Sequence, residues 1–134
     1  CQEVCPWNQR FADDSGVWEA FQEQESIAYP DPAQELSLSE EAFRVKFRGS
    51  PVKRTKRRGY LRNAAVAVGN ENSPTALPGL SRAIYDQEAL VRSHAAWALG
   101  QIGSPEARLV LSQALEKEET PQVRAEILEA LGKI

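Results

Sequence analysis

VRSHAAWALGQIG, residues 91–103, is the stretch on which the fold turns. Val91, Ala95, Ala98 and Leu99 lie at the three- and four-residue spacing that puts apolar side chains on one face of an α-helix. The same face is written twice more. Tyr60, Ala64, Ala67 and Val68 stand 31 positions earlier, and Val123, Ile127, Ala130 and Leu131 stand 32 positions later. A glycine follows each time, Gly69, Gly100 and Gly132, where a helix C-cap is expected. A second helical face alternates with the first: Leu80, Ala83 and Ile84 match Leu111, Ala114 and Leu115 at an offset of 31.

Ser73-Pro74, Ser104-Pro105 and Thr120-Pro121 each set a capping hydroxyl before a proline, which loses nothing at the first helical position because that N–H has no intrahelical partner. Two helices in about 31 residues predict an all-α solenoid of stacked hairpins. The array holds roughly two and a half units, with Lys56 to Gly69 as the second helix of an incomplete first one. Asp86 and Glu118 precede Arg92 and Arg124 at equivalent places, which predicts an ion pair tying each turn to its own helix start. Leu61 replaces that arginine in the first unit, and Arg62 one residue on is left to point elsewhere. His94 and Trp97 are expected to pack rather than bind, since no second ligand lies at metal spacing from the histidine.

Working back from the repeats, residues 43–63 read FRVKFRGSPVKRTKRRGYLRN. They hold nine of the sixteen basic residues, and no Asp or Glu lies between Glu41 and Glu71. The other residues carry seven basic against nineteen acidic groups. A cationic block inside an acidic chain of net charge −3 implies targeted attraction to a polyanion, driven by release of counterions from phosphates. Gly49-Ser50-Pro51 breaks the block with a turn expected to offer backbone N–H groups, and Tyr60 offers a surface on which a base could stack. Arg48, Ser50, Lys53, Arg54, Lys56, Arg57, Arg58 and Arg62 are the candidate RNA contacts. Ser39, followed by Glu40 and Glu41, predicts an N-cap opening a short helix through about Phe47.

Upstream, residues 13–41 carry nine Asp or Glu and no Lys or Arg. A short helix is expected near Val17 to Gln24. Tyr29-Pro30-Asp31-Pro32 predicts an extended connector leading to Leu36 and Leu38. The two cysteines, Cys1 and Cys5, are too close for an unstrained disulfide. They are either free thiols or the closing end of the ferredoxin-type run C-x-x-C-x-x-C-x-x-x-C-P, whose thiolates hold iron–sulfur clusters. Two cysteines cannot supply four ligands, so on the second reading the others lie upstream and the chain is a piece of a longer protein. The sequence shows no Ser/His/Asp set and no phosphate-cradling glycine loop, and catalysis cannot be placed in it.

CQEVCPWN from Cys1 to Asn8, FRGSPVKRTKRRGYLRNAAVAVGN from Phe47 to Asn70 and VRSHAAWALGQIG from Val91 to Gly103 together resemble the C-terminal part of the tRNA epoxyqueuosine reductases. The likeness runs along nearly the whole chain and is weakest from Phe11 to Leu38. C-P-W-N and R-G-S-P-V-K-R-x-K-R-R-G are its specific pieces, whereas VR-x-x-A-A-x-A-L-G is common to many HEAT-like repeats. The resemblance implies a short HEAT-like α-solenoid over 39–134 with a basic segment at 44–62, an acidic connector over 11–38, and the tail of a ferredoxin-like [4Fe–4S] domain over 1–10. It implies an oxidoreductase that reduces epoxyqueuosine to queuosine at the tRNA wobble position, with cobalamin and two [4Fe–4S] clusters in the parent. Cys1 and Cys5 are implied as cluster ligands, the basic segment as the holder of the anticodon stem–loop, and the protein as a cytoplasmic monomer with no membrane partner. The cobalamin domain is absent here, so activity belongs to the parent. Two rivals remain: a non-enzymatic HEAT-like protein-interaction scaffold, and a ferredoxin-type electron carrier with appended repeats.

Overall fold

The structure is a computed structural model that describes Val4, Pro6 and residues 30–134. Cys1, Cys5 and the expected helix near Val17 to Gln24 lie outside the described residues. No strand occurs among those described. The repeated helices are α3 (Lys56–Glu71), α4 (Leu77–Ala83), α5 (Ala89–Ile102), α6 (Pro105–Lys117) and α7 (Pro121–Lys133). Ahead of them come α1 (Pro32–Glu35), α2 (Glu40–Lys46) and a 3-10 turn at Pro51–Thr55. Helix α5 packs between α3 and α7, so the second helices of successive units form one layer, and α4 and α6 form the other. The predicted all-α solenoid is what the described residues adopt.

Its core follows the repeat pattern. Val91, Ala95, Ala98, Leu99, Val123, Ile127 and Ala130 are buried, and so are Leu80, Ala83, Ile84, Leu111 and Ala114 of the other layer. Burying apolar surface contributes roughly 25 cal/mol per Å². Each hairpin obtains that contribution only by stacking on its neighbour. In the first unit the buried face keeps Ala64 and Val68 but takes Leu61 and Ala65 in place of Tyr60 and Ala67. Tyr60 turns instead toward α2, where its ring lies 5.8 Å from that of Phe43 and 4.9 Å from that of Phe47.

Two local expectations are corrected. Gly69 and Gly100 are not C-caps but lie within their helices, at helix crossings. A Cβ on Gly100 would stand 2.9 Å from Cβ of Ala130, and one on Gly69 would stand 2.5 Å from the Trp97 ring. Side chains there would force the layer apart. The caps are Asn72 at φ +53° and Gly103 at φ +62°, both left-handed. Of the three hydroxyl caps only Ser104 accepts its helix N–H, from Ala107. Ser73 bonds Thr75 instead, and the Thr120 hydroxyl accepts from Arg92.

The connector also ends earlier than expected. Asp31 caps α1 by accepting from the Ala33 N–H, and Pro32 occupies the first helical position, where a proline costs no bond. Leu36 is buried in the solenoid core, and α1 packs on α3 and α4. A single turn thus fills the first-helix place of the unit that the repeat left incomplete. Gly79 permits it: a Cβ there would meet the Ala33 carbonyl oxygen at 2.6 Å.

The ion pairs run between units rather than within them. Arg57 reaches Asp86, and Arg92 reaches Glu118, with Nε 2.6 Å from Oε2. Arg92 and Arg124 do tie their own turns, but through the carbonyls of Asp86 and Glu118. Bonding to the Arg92 guanidinium, against a smaller burial penalty, lowers the Glu118 carboxyl from 4.5 to about 2. A depressed carboxyl pKa stabilises the fold fully above the unfolded value and loses that contribution as pH falls. Glu118→Gln is therefore expected to lower Tm clearly at pH 7, by the equivalent of about 3 kcal/mol. That deficit should close between pH 4.5 and 2 as the native protein loses the same contribution. A deficit constant across that range in a thermal-melt series would contradict the pairing.

Candidate nucleic-acid interface

Short local signals position the basic segment. Ser39 caps α2 by accepting from the Ala42 N–H, as expected, and α2 ends at Phe47 in the core. Gly49 then takes φ +77°, which a residue without Cβ adopts at no cost. Ser50 caps the 3-10 turn through its side chain, which accepts from Val52 N–H. The turn is less open than the sequence suggested: Ser50 and Lys53 N–H donate to the carbonyls of Phe47 and Ser50. Lys56 enters α3 at φ +57° and ψ 164°, a conformation costing a non-glycine residue about 1–3 kcal/mol. This sharp join sets Lys53 on one side of the bend and Arg58 on the other, around one hollow.

That hollow is an open cleft of about 580 Å³ lined by Lys53, Lys56, Arg57, Arg58 and Arg44, with Glu40 and Phe43 from α2. Gln87 and Glu88, from the turn before α5, close it. Sequence reasoning missed these last two. The recurrence of Asp86 and Glu118 was the available signal, because equivalent turns of neighbouring units must line the same edge. Arg48, Lys53, Arg54, Lys56, Arg58 and Arg62 are exposed and form no ion pair among the described residues. Arg62 lies one turn beyond Arg58 on α3, and its Nε donates to the Asn63 side chain. Arg48 and Arg54 are exposed on the same segment outside the cleft lining.

The remaining basic residues are engaged internally. Lys46 Nζ lies 2.6 Å from Glu35, and Arg44 makes an exposed 3.4 Å pair with Glu40. Arg57, named from sequence as an RNA contact, is only 9% exposed. Its two terminal nitrogens grip Asp86 at 3.1 and 2.5 Å, and Nε donates to the Leu38 carbonyl. The hydrogen bond to Asp86 outweighs burial and raises the arginine's pKa. For Asp86 burial pushes upward, yet the Arg57 and Glu88 hydrogen bonds leave it below the ordinary range. Arg57 is thus the fixed floor of the cleft. Tyr60 stands in a cluster with Phe43 and Phe47, donates its hydroxyl to Glu35 and stays partly exposed. Burial and that hydrogen bond raise its phenol pKa.

Among the described residues no three His, Cys, Asp or Glu side chains gather as metal ligands. The chain has two cysteines, so its residues do not by themselves fit a [4Fe–4S] cluster. No described helix is long and apolar enough to cross a membrane.

An array of right-sized helical hairpins with a cationic edge defines the class, and residues 56–132 match the family of HEAT repeats, to which the chain belongs. Its relatives are more specific. Epoxyqueuosine reductase of Pseudomonas aeruginosa is 40% identical over 107 residues, which is 77% of this chain and 28% of that protein. An uncharacterised protein from the gldA 3′ region of Geobacillus stearothermophilus is 32% identical over 98% of this chain and 60% of its own length. A crystal structure of epoxyqueuosine reductase with an epoxyqueuosine-modified tRNA-Tyr stem loop superposes at TM-score 0.85 and 30% identity, over 99% of this chain and 35% of that one. The chain is homologous to the C-terminal part of these reductases and spans about a third of their length.

Proposed function

We propose that this chain is the RNA-holding part of an epoxyqueuosine reductase, and that its basic segment grips the anticodon stem–loop of a tRNA. The observation that carries the reading is the set of six exposed cations, unpaired among the described residues, gathered at one end of a HEAT array whose relatives are such reductases. Phosphate contacts fix register without reading sequence, which suits a clamp that presents one base for chemistry performed elsewhere. Reduction of the epoxide belongs to a cobalamin domain outside these residues. Cys1 and Cys5 complete ligand sets for two [4Fe–4S] clusters together with cysteines outside this sequence. The protein works as a cytoplasmic monomer.

The test is filter binding of a tRNA stem–loop to the full chain, in competition with heparin. Retention of the stem–loop against excess competitor supports the clamp. Displacement at equal charge leaves the basic segment as a nonspecific polyanion surface and favours the scaffold.

A further inference from the structure

Helix α3 carries Arg58, Arg62, Val66 and Asn70 at successive four-residue intervals, which places them along one side of the helix. Arg58 opens this line in the basic cleft. Its far end forms a second groove of about 310 Å³, where Val66 and Asn70 meet Ser93, His94 and Trp97 of α5 and Glu126 of α7. From Arg62 to Asn70 the helix rises about 12 Å, within reach of a short unstacked strand held at the arginines.

The groove combines one aromatic side chain with a polar rim. Trp97 packs an edge of its indole on Gly69, which fixes the ring, while the residue stays partly exposed in the groove. His94 Nδ1 lies 2.9 Å from the Leu90 carbonyl oxygen, to which it donates. Glu126 adds a carboxylate that forms no ion pair among the described residues. Asn70 and Ser93 can donate or accept. A partly exposed indole beside the Glu126 carboxylate suits a planar base that presents N–H donors. A phosphate is disfavoured there by Glu126.

We propose that this groove is a subsite for one unpaired RNA base bearing an exocyclic amine, reached by the strand leaving the basic cleft. The proposal rests on the clamp reading above and adds to it a second point of contact away from the cations. Stacking on Trp97 supplies affinity for any base, and the Glu126 carboxylate favours an amine-bearing base over uracil.

The experiment measures binding of stem–loop RNAs to the full chain by fluorescence anisotropy, with single abasic substitutions through the loop. The wild type is compared with Trp97→Leu, Asn70→Ala and Glu126→Gln. At one loop position, base removal is expected to weaken wild-type binding by about 5- to 150-fold and to cost Trp97→Leu little. Glu126→Gln should lose the preference for an amine over uracil at that position. Equal abasic penalties in wild type and variants overturn the subsite. Should Trp97→Leu fail to fold, Asn70→Ala and Glu126→Gln carry the comparison on their own. Arg58→Glu separates the two readings: if it weakens binding while no coupling appears at the groove, only the subsite falls, and if it has no effect the clamp falls too.

Discussion

Reversing Lys53, Lys56 and Arg58 together to glutamate is expected to weaken stem–loop binding on the order of 50-fold at about 0.15 M salt, and to flatten its salt dependence. Each cation on a phosphate of an unpaired strand contributes roughly −0.7 to the log–log salt slope. The six exposed cations therefore predict a slope of about −4 for the native chain, and removing three lowers it to about −2. The same counterion release, extrapolated to 0.15 M, gives the loss in affinity. All three side chains line the cleft and are exposed. Exposed substitutions typically change stability by about 0.5 kcal/mol or less, and Lys56→Glu exchanges one non-glycine residue for another at its left-handed join, so the thermal melt should stay close to native. A triple variant that keeps the native slope would show that the RNA is held elsewhere. Arg57 is left intact, because its reversal would put a second carboxylate beside buried Asp86 and confuse unfolding with lost contact.

How much of this was legible in the residues depends on how far apart the deciding partners stand. The solenoid is written locally: Val91, Ala95 and Leu99 have counterparts at fixed offsets, and each offset is a separate piece of agreement. The basic block is equally local, since charge can be counted along the chain. Which of its members remain available is not. Asp86 lies 29 positions from Arg57 and Glu35 lies 11 from Lys46, so only the stacking of units brings these carboxylates to the cations. The cluster of Tyr60 with Phe43 and Phe47 is hidden for the same reason, because it forms only when α2 packs beside the start of α3. Gly69 and Gly100 look like caps because a glycine ends an apolar face. Their role as crossing points is visible only once Trp97 and Ala130 are seen against them. For residues 31–38, two prolines masked a one-turn helix whose reason for existing is tertiary, namely Leu36 in the core.

Arg57→Met is expected to cost about 3 kcal/mol and to lower Tm on the order of 10 °C, the largest stability effect of any single change in the basic segment. The substitution keeps the volume of the stem but leaves the Asp86 carboxylate, whose side chain is 8% exposed, without its bidentate partner. It also strips the Leu38 carbonyl of its donor, and that carbonyl follows the Leu36 segment onto the core. The paired variant Arg57→Met/Asp86→Leu decides what the pair is for. Replacing both members of a buried ion pair with apolar groups is often nearly neutral, so Tm should recover most of the loss. With stability restored, the RNA measurement becomes interpretable. If Arg57 is the floor of the cleft and not a contact, the double variant binds the stem–loop within about twofold of the native chain, with an unchanged salt slope. If Arg57 lets go of Asp86 to meet a phosphate, the slope falls by about 0.7 and affinity drops about fourfold at 0.15 M salt. The first outcome is expected, because two nitrogens on Asp86 and one on Leu38 leave the guanidinium committed to the fold before any RNA arrives.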